Sequence, residues 1–294
     1  GSVHLETNTE FFHLGGDMRG IGEILTSADS AKRQSLPHID SWFAAQHWME
    51  TLPRASWVLA TGAGQLRQFG RLGLFQDLAD PGRSQIWSRI DVAARSLEKN
   101  LGRQRLEIVV VGSFAGGTGS GMLIDFGLLL RQRTKGVNSM IRGYFALPRV
   151  FDQNPDDDLK ARSFAAWREL NRFMTVSADF PMPSLVYNPK EERLQIASIN
   201  HRLYDACYLI DGIRAGHRID AEPEKIVFPA VADAISALLD DTAGGHYTEY
   251  VGTNLAPEYA KKRGVPLYSA VGAHSFKVPI YYAQQEFSYN LAAN

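Results

Sequence analysis

Apolar residues in this chain fall into runs of two lengths. Short blocks rich in β-branched and aromatic residues read as strands at residues 105–111, 141–147, 204–210 and 265–271. Longer stretches of helical character lie between and before them, at residues 40–52, 84–100, 159–175 and 223–240. Asp40 or Ser41 is placed to cap the first of these helices. Residues 185–187 and 194–196 predict a hairpin around Asn188-Pro189-Lys190. Residues 3–40 show no clear period, and irregular structure is expected there. Strands that alternate with helices predict an α/β fold, a mainly parallel sheet with helices on both faces.

One junction departs from simple patterning. Val109-Val110-Val111 runs into Gly112-Ser113-Phe114-Ala115-Gly116-Gly117-Thr118-Gly119-Ser120-Gly121, and an apolar helix follows to about residue 133. Ile108 to Val111 reads as a buried parallel strand. Glycines allow close backbone approach, and the free N–H groups of a helix N-terminus attract anions. A phosphate is the natural guest. The run lacks the Lys of G-x-x-x-x-G-K-[ST], and its glycines are not spaced G-x-G-x-x-G.

Composition narrows the function. A net charge of −1 gives no electrostatic case for nucleic acid or an anionic membrane as main partner. The single cysteine, Cys207, excludes an internal disulfide and fits a cytoplasmic setting; it reads as a buried strand residue. No apolar stretch is long enough to span a bilayer. The eight histidines show no metal-ligand spacing, and no Gly-x-Ser-x-Gly elbow is present. Gly1-Ser2 reads as a cloning remnant, so the chain is expected to be a piece of something longer.

The glycine run resembles the tubulin/FtsZ signature GGGTGSG, with Ala115 in place of the first Gly and Gly116, Gly117, Thr118, Gly119, Ser120 and Gly121 matching. Further stretches fall in the family's order. Gly62-Ala63-Gly64 resembles the loop that cups the outer phosphate, and the longer string GAGQLRQFGRLGLF is similar to divergent bacterial tubulin-like proteins. Arg67 and Arg71 either reach phosphate or a neighbouring subunit, or are solvated on a surface turn. The resemblance implies Asp152 near the ribose and Asp211 reading guanine where the family has an Asn. It implies Phe228 stacked on the base, with a core position as the alternative. Asp156, Asp157 and Asp158 read as a helix cap and dipole-pairing cluster.

The family's catalytic loop is Asn-x-Asp-x-x-Asp/Glu. Here Asn254 fits, Ala256 and Tyr259 replace both acids, and Glu258 is one position off. The resemblance therefore implies a Rossmann-like, tubulin/FtsZ-like nucleotide domain at residues 3–264, its first strand missing, and the start of a second domain at 265–294, with both ends cut off. The implied ligand is GTP or GDP, with Mg²⁺ carried by the phosphates. The implied behaviour is filament-like self-association with slow or uncertain hydrolysis. The alternative is a non-hydrolysing scaffold in a larger bacterial assembly. A dehydrogenase would need G-x-G-x-x-G and an acid about twenty residues on, and neither is found.

Overall fold

The computed structural model describes residues 23, 39, 41–53, 63–79, 82, 84–99, 105–151, 157–176, 181–214, 217–218, 223–239 and 268–270. Helices α1 (Ala45–Thr51), α2 (Arg67–Leu78) and α3 (Gln85–Glu98) precede strand β1 (Leu106–Ser113). Helix α4 (Gly117–Arg133) leads to β2 (Ser139–Ala146), and α5 (Asp157–Met174) follows a short turn at Pro148–Val150. A small hairpin, β3 (Leu185–Val186) with β4 (Gln195–Ile196), precedes β5 (Ala206–Ile210). A second, β6 (Ile213–Arg214) with β7 (His217–Arg218), leads to α6 (Pro223–Leu239), and β8 (Tyr268–Ala270) comes last.

Four strands form one sheet in the order β1-β2-β5-β8, and all three pairings are parallel. β2 shows why both faces are covered. Side chains alternate along a strand, so Ile141 and Phe145 enter the larger core, which α2, α4 and α5 cover. Tyr144 and Ala146 face the other way, with Tyr208 and Ile210 from β5, under Val227 and Val231 of α6. Tyr144 and Tyr208 stack there at 4.6 Å. The expected mainly parallel α/β fold is what forms.

Three local expectations change. The first helix starts at Ala45, past Ser41: its N-cap is Ala44, without a side-chain hydrogen bond, and Asp40 lies outside the described residues. Ahead of it a turn returns Phe43 N–H to the Ile39 carbonyl at 2.8 Å, and Phe43 is buried. The stretch holding Arg67 and Arg71, for which a surface turn was one of two readings, is a helix, 67–78, that buries Phe69, Leu72, Phe75 and Leu78. Val111 is 61 % exposed, because β1 is an edge strand among the described residues. Elsewhere local signals hold. Ser84 caps α3 by accepting Trp87 N–H at 3.1 Å, a contact that stabilises by about 1 kcal/mol. The hairpin at Asn188 forms, and the Asn188 amide donates to the Leu78 and Ala79 carbonyls, fastening it to the end of α2. Among the described residues no helix is long and apolar enough to cross a membrane.

Candidate functional site

The glycine loop lies at the carboxyl end of β1 and opens α4, where open parallel sheets bind ligands. Phe114 N–H donates to the Ala146 carbonyl at 3.0 Å, so the β1–β2 ladder runs into the loop, and the Phe114 ring is buried below it. α4 begins at Gly117, with Gly116 as N-cap and no side chain capping it. The amides of its first turn therefore have no partner within the helix, and about half a positive charge develops at this end. A Cβ placed on Gly116 would meet nothing within 4 Å. This flank is open to an anion.

The other glycines divide the loop's duties. A Cβ on Gly117 would lie 2.6 Å from Leu66 N and 2.8 Å from the Gln65 carbonyl carbon. One on Gly121 would lie 2.3 Å from the Arg67 carbonyl oxygen, and one on Gly70 2.4 Å from that of Gly117. Gly70, Gly117 and Gly121 thus form a seam where the turn before α2, and α2 itself, press backbone to backbone on α4. Close approach is needed at Gly117, as the sequence implied, but toward protein. Of the Thr118 and Ser120 hydroxyls, one accepts and the other donates within the protein. Ser120 is buried and donates to the Gly116 carbonyl. Thr118 Oγ1 accepts Ala63 N–H at 3.3 Å, which ties the two loops together.

Ala63 and Gly64 belong to a tight turn closed by Leu66 N–H donating to the Ala63 carbonyl at 2.8 Å. Gly64 and Gln65 both have positive φ, 52° and 65°. The turn sits against Gly117, so the sequence's two phosphate-loop candidates do meet in space.

Arg67 and Arg71 are each paired with a carboxylate of another helix. Arg67 pairs with Glu169 on α5 and donates to the Ser120 carbonyl at 3.4 Å. Arg71 makes two 3.0 Å bonds to Asp125, which is 1 % exposed, and lies 4.4 Å over the Trp42 ring. Tyr187 of the hairpin donates to the same carboxylate at 2.8 Å. Burial is the largest influence and lowers the Arg71 pKa, but the Asp125 charge, the hydrogen bonds to it and the smaller effects of Tyr187 and Glu169 together outweigh it, and the net shift is upward. Burial and then the Asp125 charge push the Tyr187 hydroxyl well above its usual range, so it stays a donor. Both guanidiniums line a cleft of about 320 Å³ with Trp42, Glu169 and Phe173, and Gly116 is not part of it. Sequence reasoning missed this network, although an Asp in the middle of an otherwise apolar run, 122–130, was its visible signal.

At the carboxyl ends of β2 and β5, Asp211 accepts its neighbour Gly212's N–H at 2.8 Å. The loop after β2 packs on Gly212, whose Cβ would meet the Arg149 carbonyl oxygen at 2.6 Å. Phe228 is not in the core: it is 46 % exposed, its ring 5.9 Å from that of Phe151, itself 50 % exposed. Asp157 and Asp158 occupy the first turn of α5, as dipole pairing requires. Gly62, Asp152, Asp156, Asn254 and Glu258 lie outside the described residues. The model of a family described as "Tubulin like" matches residues 7–294. No curated protein and no solved structure matches the chain.

Proposed function

The chain belongs to the tubulin-like family, and on that premise we propose that it binds a guanine nucleotide, GTP or GDP, and self-associates through filament-like contacts. The observation that carries this reading is the open flank of Gly116 at the uncapped start of α4, with the Ala63–Gly64 turn fastened beside it. The phosphates lie along the amides of Gly116, Gly117, Thr118 and Gly119, and the turn borders the outer phosphate. Mg²⁺ is carried by the phosphates and supplies charge neutralisation there. Asp211 accepts from the guanine N1–H and N2–H groups, the exposed Phe228 offers its face to the base, and Asp152 accepts from the ribose. The setting is cytoplasmic.

Hydrolysis requires an acid to orient or polarise water at the outer phosphate. Ala256 supplies none, and Glu258 is offset by two positions from it, which turns a helical side chain by about 200°. Turnover is therefore slow. The same substitutions favour a second reading, a non-hydrolysing scaffold in a larger assembly. Turnover of GTP measured on the assembled protein, beside light scattering for assembly, separates the two. Slow release of phosphate supports the first reading, and none at all the second. Absence of guanine-nucleotide binding would overturn the first.

A further inference from the structure

Among the described residues Gln65 alone combines a side chain with positive φ, 65°. Sterics disfavour that conformation roughly five- to thirtyfold for a residue with a Cβ, so something must hold it. Two bonds close the turn and attach it to α4, namely Leu66 N–H to the Ala63 carbonyl and Ala63 N–H to Thr118 Oγ1. Neither acts on the Gln65 side chain. A third does: Arg162 Nη2 donates to Gln65 Oε1 at 2.7 Å, from α5, 97 positions away. α5 is anchored for this task. Ser163, next to Arg162, donates to the Phe114 carbonyl in the glycine loop at 3.1 Å.

The turn has no slack on its inner side, because Gly117 leaves no room for even a Cβ against Gln65 and Leu66. If Gln65 relaxes to an ordinary φ, the Ala63–Gly64 segment must swing away from the Gly116 flank. We propose that Arg162 is a positioning residue: acting through Gln65, it keeps the 63–66 turn in the left-handed form that frames the outer-phosphate side of the seat. The proposal rests on the reading that phosphates occupy the Gly116 flank. Its consequence is selective. A diphosphate, held by the α4 amides, is indifferent to the pair, whereas a triphosphate depends on it.

The test is equilibrium binding of GDP and of a non-hydrolysable GTP analogue to the full chain. Arg162→Met is expected to weaken the triphosphate about fivefold and to leave the diphosphate within about twofold. Adding Gln65→Gly should restore the triphosphate, since glycine adopts positive φ without steric cost. Gln65 is exposed, so a second arm avoids any folding problem at Arg162. There Gln65→Leu should mimic Arg162→Met. Equal weakening of both nucleotides, no change, or failure of glycine to rescue would each overturn the proposal; the last would mean that Arg162 acts other than through Gln65. Wild-type protein that binds neither nucleotide would show instead that the underlying reading is at fault, and the proposal would fall with it.

Discussion

Gly121→Ala and Gly116→Ala should behave as opposites, although both add one methyl group to the same short motif. In Gly121→Ala the new Cβ lies 2.3 Å from the Arg67 carbonyl oxygen and 3.1 Å from Arg71 N. Both atoms are backbone, so no side chain can swing aside. To reach ordinary contact α2 must retreat by about 1 Å, with overpacking costs of about 1–3 kcal/mol or more. Better helix propensity returns up to about 1 kcal/mol. At the upper end of that cost the net loss is about 2 kcal/mol, or about 3 °C in melting temperature for a chain of this size. In Gly116→Ala the Cβ meets nothing, and φ −88°, ψ 155° suits alanine. Stability should fall by less than about 1 kcal/mol, the cost of a poorer N-cap, while nucleotide affinity drops at least about tenfold because the methyl occupies the phosphate flank. Thermal melts of apo protein and titration with fluorescent GDP read the two effects separately. A Gly121→Ala melt equal to wild type, or unaltered GDP affinity in Gly116→Ala, would refute this division of the loop.

Asp125→Ala leaves the Arg71 charge without its partner. Because the Arg71 side chain is 26 % exposed, the expected loss is about 2–4 kcal/mol, a little below the range for fully buried pairs, and calorimetry should show a melt lowered by about 3–7 °C. Tyr187→Phe, which removes one donor to that carboxylate, should cost about 1 kcal/mol by denaturant titration. Burial raises the Cys207 pKa far above its usual value, so the thiolate is absent at pH 8 and a thiol reagent should label the folded protein only after denaturant is added. Glu258→Gln should change GTP turnover little; fast turnover abolished by that substitution would mean that the loop is rebuilt around this acid.

What was legible in the sequence was what is local. β-branched runs gave the strands, Ser84 marked the start of α3, and the glycine loop declared itself at a strand-to-helix junction. What was hidden depends on partners far along the chain. Gly70 is small because Gly117, far along the chain, presses on it. Arg71 could be read as reaching phosphate or a neighbouring subunit, or as solvated, because Asp125 is 54 positions away. The same distance concealed the role of Gly117, whose neighbour is the 63–66 turn. Phe228 could be read as core or base-stacking from its apolar helix; packing, which leaves its ring exposed beside Phe151, excludes the core.

Titration calorimetry of the full chain with GDP, GTP and ATP in Mg²⁺ tests the central claim most directly. The account predicts saturable binding of one guanine nucleotide per chain, with ATP at least about tenfold weaker because the amino group of adenine presents a donor pattern unlike that which Asp211 accepts. No heat of binding for any of the three, or equal affinity for ATP and GTP, would contradict it.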